Sequence, residues 1–223
     1  MLLTILMPCL NEEKSIVHCI NKAKLFLQNN NIDGEILVVD NGSTDNSIAY
    51  AESLGARVIS ESSKGYGSAL IRGIHEAKGE YIIMGDCDGS YDFYASNIIL
   101  DKLLEGYDFV CGNRFEGGIK KGAMPFTHKL GVPFLSKVAN LKFKTPIRDF
   151  HCGLRGFKKS VYDGVVFKST GFEFATEMIG VLDLDKVKMC EVPITLYNDM
   201  RNSKSHLKTV RDGFRHLKCI ISM

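Results

Sequence analysis

The chain has 223 residues, 45% of them apolar and 24% charged, with a net charge of +2. That composition suits one large soluble domain with its own core, and so small a net charge argues against a nucleic-acid partner. Seven cysteines (9, 19, 87, 111, 152, 190 and 219), odd in number and without a C-x-x-C pair, argue for reduced thiols in a cytosolic setting rather than a disulfide framework or a zinc knuckle.

Residues 2–7 read as a first strand ended by Pro8, with no basic start or small-residue cleavage site that would make them a signal peptide. Asn11-Glu12-Glu13 is expected to open a helix running to about residue 27, its acids at the positive end. Residues 35–40 (Glu-Ile-Leu-Val-Val-Asp) form a continuous β-branched strand, as a strand buried on both faces should. Asn41-Gly42-Ser43-Thr44-Asp45 is a turn and helix cap, followed by a short helix to residue 54 and a third strand at 56–60. Lys64-Gly65-Tyr66-Gly67 is a glycine-rich loop leading into a helix to about residue 78, and residues 81–84 are the next strand.

The second half is less regular. The pattern predicts a helix over 95–105, a strand over 107–111, a mobile polar loop over 113–124 and a helix over 127–143 with Pro133 early in it. It then predicts a short strand and turn over 150–157, a helix over 172–182 and a strand over 187–192. Alternating strands and helices at short spacing define an α/β fold with a doubly wound, mainly parallel sheet. There is no internal repeat or linker, and no run of ~18 apolar residues that would span a bilayer. We read one domain over 1–223, with a nucleotide half over 1–110, an acceptor half over 111–205 and a basic amphipathic helix over 206–223.

In that last helix Leu207, Val210, Phe214, Leu217 and Ile221 fall at helical spacing, with Lys208, Arg211, Arg215 and Lys218 one step on. This suits a helix lying on an anionic membrane surface, or a terminal helix packed on the core with a solvated basic face.

The chemistry points to Asp86 and Asp88. They leave a buried strand at i, i+2, followed by Gly89, at the sheet edge where α/β proteins bind ligands. Two acids there make a hard oxygen site for Mg²⁺ or Mn²⁺, which takes one or two carboxylates plus substrate phosphates. An EF-hand is excluded, because the fourth loop position is glycine and the twelfth is Asn97. Asp40 also ends a strand, free to accept from a base or ribose or to cap its own turn. The absence of G-x-G-x-x-G after the first strand argues against a dinucleotide enzyme, and the Lys64 loop is too short for a P-loop. Its glycines either let backbone approach a ligand, with Lys64 beside a phosphate, or belong to a solvated loop. Arg114, Arg148, Arg155, Arg201 and Lys204 matter only if the fold gathers them at the same edge. Glu173 and Glu177, at i, i+4, are a candidate base or salt-bridge neighbours, and His151-Cys152 reads as structural.

Four motifs, Met7-Pro8-Cys9-Leu10-Asn11-Glu12-Glu13, Val38-Val39-Asp40-Asn41-Gly42-Ser43-Thr44-Asp45, Lys64-Gly65-Tyr66-Gly67 and Gly85-Asp86-Cys87-Asp88-Gly89-Ser90, resemble family 2 glycosyltransferases of the GT-A fold. Asp149 through Phe157, Gly171 through Met178 and Arg211 through Leu217 narrow the resemblance to the dolichyl-phosphate mannose and glucose synthase-like branch. The resemblance implies that Pro8, Leu10, Glu12, Val39 and Asp40 line a nucleoside pocket, with Lys64 and Cys87 in the same donor site. It implies that Asp86 touches ribose or the metal and Asp88 holds the metal, and that Arg114, Arg201, Ser203 and Lys204 meet phosphates. Ser90 stands where mannose synthases often carry glutamine. Asp149, Arg155, Glu173 and Glu177 would face the acceptor.

The implied activity is an inverting transfer from a nucleotide-diphosphate sugar to a polyprenyl phosphate, on the cytoplasmic face of a membrane. Transfer to a saccharide hydroxyl, or a non-catalytic nucleotide-sugar binder, are the alternatives.

Overall fold

Seven strands, β1 (Leu3–Cys9), β2 (Gly34–Asp40), β3 (Arg57–Ser60), β4 (Tyr81–Met84), β5 (Phe109–Asn113), β6 (Arg155–Lys158) and β7 (Met189–Pro193), form one sheet in the order β3-β2-β1-β4-β6-β5-β7. The computed structural model describes residues 1–182, 184–201 and 209–223. All pairings are parallel except those of β6, which runs antiparallel to both β4 and β5. The register sets Cys9 opposite Asp40 and Leu6 opposite Met84, so β1, β2 and β4 end at one edge. That common edge carries the acids forward into one place.

Helices α1 (Ile16–Asn29), α2 (Ser47–Ser53), α3 (Tyr66–Glu76) and α4 (Asn97–Leu104) belong to the first 110 residues. The short α5 (Arg114–Gly117), then α6 (Phe126–Phe143), α7 (Phe174–Gly180) and α8 (Thr209–Ser222), build the other half. The core is continuous: Leu3, Ile5, Leu6 and Met7 of β1 are fully buried, with Ile20, Ala23 and Phe26 of α1 against them. Each such side chain contributes roughly 1.5–3 kcal/mol by leaving water.

Two expectations are corrected, and the packing of the last helix is defined. The first helix begins at Ile16, because residues 11–13 are used elsewhere. Asn11 takes a left-handed conformation (φ 58°), its Oδ1 accepts from Thr44 N at 2.8 Å, and Glu12 N donates to Ser47 Oγ at 2.7 Å. These residues stitch the β1 loop to the β2 loop, which a helix N-terminus would not do. The 113–124 stretch is tied down rather than loose. Asn113 Oδ1 caps α5 by accepting from Phe115 N and Glu116 N, and Leu196 N and Lys120 N bond to Gly118 O and Leu196 O. Finally, α8 packs on α6 and α7 through Asp212, His216, Cys219 and Ile220. The sequence-derived apolar face is therefore not the buried one: Phe214 and Ile221 are exposed, while Leu207 and Lys208 lie outside the described residues and the side chain of Val210 is not described.

Candidate active site

A cavity of about 510 Å³ opens at the carboxyl edge of β1 and β4 and continues to α6 and α8. Pro8, Leu10, Glu12, Asn41, Lys64 and Cys87 line it together with Asp86 and Asp88. Tight turn chemistry aims the acid pair. Gly89 takes φ +86°, and Asp88 Oδ1 accepts from Ser90 N at 2.9 Å and from the Ser90 hydroxyl, so Ser90 fixes the rotamer of Asp88. Asp86 Oδ1 accepts from Tyr66 O–H at 2.9 Å, and Tyr66 in turn stacks on Phe172 at 5.0 Å between centroids.

Arg201 crosses the site. Its guanidinium donates to Glu12 Oε1 at 3.1 Å and to Asp88 Oδ2, joining the first loop to the chain 189 residues later. Two carboxylates thus share one arginine, with Asp86 close enough to feel its charge. Burial, reinforced by the Asp88 charge and opposed by Arg201, pushes Glu12 up to about 7. Burial and the same neighbour push Asp86 up to about 6, against the Tyr66 hydrogen bond. Carboxylates that repel one another in a half-dry cleft are the electrostatic setting a divalent cation relieves, and the donor set is all hard oxygen. Asp86 and Asp88 fit that role, while Arg201 holds part of the charge balance within the protein itself.

The remaining candidates separate into two groups. Lys64 and Arg114 line the cavity, with Lys64 Nζ donating to Asn41 O at 2.8 Å. Arg114 forks onto Asp149, with Nε to Oδ2 at 2.8 Å and Nη2 to Oδ1 at 2.7 Å, and its backbone N–H also reaches Oδ2 at 3.1 Å. Asp149 is fully buried and spent on that pair. Arg155 touches the cavity wall, yet its guanidinium is fully buried and donates to the carbonyls of Phe150, Cys152 and Ala175. It locks the turn before β6 onto α7 rather than presenting free donors.

Val39 is core, and Asp40 caps its own turn by accepting from Ser43 N at 2.8 Å; Asn41 lines the cavity instead. Glu177 accepts from Lys168 N and Ser169 N, and Glu173 pairs with Arg215 at 2.6 Å. The glycine loop packs on protein: at Gly65 (φ +138°) a Cβ would lie 2.1 Å from Thr170 O. Arg148 is exposed and bonds Glu116 and Glu191. Ser203 and Lys204 lie outside the described residues.

Sequence reasoning missed Tyr66, Asn41, His128, His151 and His216, all of which line the cavity. Tyr66 sits inside a motif read only for its glycines. The histidines carry no spacing signal, because they come from three separate segments.

A mostly parallel sheet with paired carboxylates over a cleft at its carboxyl edge defines the GT-A class of nucleotide-sugar folds. Solved structures share it. Glucosyl-3-phosphoglycerate synthase from Mycobacterium tuberculosis, crystallised with Mn²⁺ and uridine-diphosphate-glucose, superposes with a TM-score of 0.75 at 19% identity over 99% of this chain and 78% of that one. Mannosyl-3-phosphoglycerate synthase from Rubrobacter xylanophilus also gives 0.75, at 20% identity over 99% and 72%.

Residues 4–165 match the model of glycosyl transferase family 2, and the chain belongs to that family. The low-salt glycan biosynthesis hexosyltransferase Agl6 of Haloferax volcanii is 37% identical over 221 residues, covering 98% of this chain and 53% of its own length. The dolichol-phosphate mannosyltransferase of Pyrococcus furiosus is 28% identical over 226 residues, 97% of this chain and 63% of its own. The chain thus spans between half and two-thirds of the length of these relatives.

Proposed function

We propose that the chain transfers a hexosyl group, with inversion, from a nucleotide diphosphate to a polyprenyl phosphate at a membrane surface. The observation that carries this reading is a cavity lined by the acidic, cation-fitting pair Asp86 and Asp88 and also by two helices with apolar outer faces. Phe126, Leu130, Phe134 and Leu141 of α6 are exposed, 62–75% each, and Phe214 and Ile221 of α8 are 68% and 69% exposed. Arg211 and Lys218 lie among them. A contiguous apolar surface with basic neighbours suits the interface of an anionic bilayer. Among the described residues no helix is long and apolar enough to cross a membrane.

In the reaction an acceptor phosphate oxygen attacks the anomeric carbon from the face opposite the diphosphate. The new C–O bond forms as the bond to the leaving diphosphate breaks, and the electron pair leaves with the diphosphate. Asp86 and Asp88 would hold Mg²⁺ or Mn²⁺, which when bound supplies positive charge to the diphosphate. Arg201 would turn from Glu12 and Asp88 to the same phosphates. No base is needed, because a phosphate monoester, with a second pKa near ~6, is already ionised at neutral pH.

Acceptor hydroxyls would need one. Asp149 and Glu177 are committed to other donors, but Glu173 Oε2 is buried without a partner among the described residues, and it carries the second reading, a saccharide acceptor. Radiolabelled nucleotide sugars offered with undecaprenyl or dolichyl phosphate, against oligosaccharides, decide between them. Label entering the lipid phase supports the phosphate acceptor, and label found only in a glycan rejects it. Donor binding without turnover on any acceptor would instead mark a nucleotide-sugar-binding paralogue.

A further inference from the structure

His151 lines the cavity wall half-buried, yet both of its ring nitrogens are out of contact with water, and neither has a hydrogen-bond partner among the described residues. An imidazole with both buried nitrogens left unsatisfied is uncommon in native proteins and calls for an explanation. Its ring meets that of His216 edge-on, 4.3 Å between centroids at 77°. His216 comes from α8, is 5% exposed, and shares a 2.8 Å hydrogen bond between its Nδ1 and Thr176 Oγ1. The same wall includes Met124, Pro125 and His128 at the start of α6. The pair therefore lines the cavity where it is met by α8, the helix whose Phe214 and Ile221 are exposed.

We propose that His151 and His216 form a subsite for the phosphate monoester of the acceptor, in which the half-buried His151 ring turns toward the cavity and donates an N–H to a phosphate oxygen. The inference rests on the phosphate-acceptor reading above and names the residues that would receive that phosphate. A chain lying along α6 and α8 would bring its head group in past α8, where His216 is the inward-facing side chain.

The electrostatics agree. Burial, then His216, Arg114, Arg155 and His128, hold His151 well below the ordinary range. Burial holds His216 down to about 4; Glu173 and Asp212 oppose this, while Arg155 and Arg215 add to it. Both rings are held toward the neutral form chiefly by burial, and an incoming dianion favours the charged form. Phosphate binding then draws a proton from solvent onto the pair, turning a neutral contact into a charge-assisted one.

The test uses the full chain, with farnesyl phosphate in micelles, glycerol 3-phosphate in solution and farnesol as the uncharged control. His151→Gln should raise the KM for the phosphate acceptor about tenfold with much less change in kcat. Calorimetry near pH 7.5 in buffers of different ionisation heat should show proton uptake on phosphate binding to wild type, reduced in the variant. In wild type the His151 ring C–H resonance should move with a phosphate and not with farnesol, a readout that stands even if His151→Gln fails to fold. Acceptor KM within twofold of wild type, or a His151 resonance indifferent to both phosphates, overturns the subsite. A shift with farnesyl phosphate but no lipid-linked product keeps the subsite and removes the proposed reaction. Product formation independent of His151 does the reverse. A response to glycerol 3-phosphate alone identifies a soluble source of the phosphate.

Discussion

At the scale of single residues, one charge differs in kind from the others. Asp88 holds Arg201 with one oxygen and Ser90 with the other, so its orientation is set before any ligand arrives. Asp88→Asn preserves the shape and removes the charge; turnover should fall by about 10³-fold or more, as for other electrostatic groups of this kind, measured by donor consumption with Mn²⁺. Activity persisting in EDTA would remove the metal role. Arg155 has a different duty from the one its position in the motif suggests. Arg155→Met would remove a donor from each of three buried carbonyls and should lower stability by roughly 3 kcal/mol or more, read by urea denaturation.

His216 gives a pH prediction. Its folded pKa of about 4 lies below the ordinary 6.5, so the unfolded chain takes up the proton first as pH falls. The stability this neutral ring confers is whole above pH 6.5 and is lost progressively toward 4. Thermal melts across that window should show a steeper acid loss in wild type than in His216→Gln.

Elements add constraints that single residues do not. The turn into β6 passes so near the acid pair that a Cβ on Gly153 would lie 2.7 Å from Asp86 Oδ2. Gly153→Ala should therefore displace that carboxylate, weakening Mn²⁺ binding by calorimetry and turnover together, by about tenfold each, since small misplacements of a positioned group are costly. The alternation of strands and helices over the first 110 residues was legible because burial on both sheet faces imposes a local pattern. The start of α1 was not. Asn11 through Glu13 have the composition of a helix N-terminus, but their partners are Ser43, Thr44, Asp45 and Ser47 on another loop. The 113–124 stretch misled in the same way, since its bonds go to residues 191–198 and to Arg148 and Asp149.

For the whole molecule, the arrangement of α6 and α8 sets the outer surface. Helical spacing in α8 marked Phe214, Leu217 and Ile221 as one apolar face, and the fold turns a different face inward. Small and polar residues make that packing: Ser136 and Ala139 are the buried positions of α6, and Asp212, His216, Cys219 and Ile220 those of α8. Large apolar side chains are left outside on both helices. Phe134→Ser with Phe214→Ser should reduce co-sedimentation with anionic vesicles several-fold at low salt, given the apolar area removed. Vesicle binding equal to wild type would remove the membrane surface from the proposal.

The sequence alone determined the strands, their shared carboxyl edge and the acids released there, because strand burial, turn glycines and i, i+2 spacing are written in neighbouring residues. Only the tertiary structure decided what those acids meet. The antiparallel β6, inserted between β4 and β5, brings Gly153 to Asp86; Arg201 returns to Glu12 and Asp88; His216 comes from the last helix to His151. Such pairings depend on strand order and helix docking, which act between residues far apart in the chain and leave no periodicity along it.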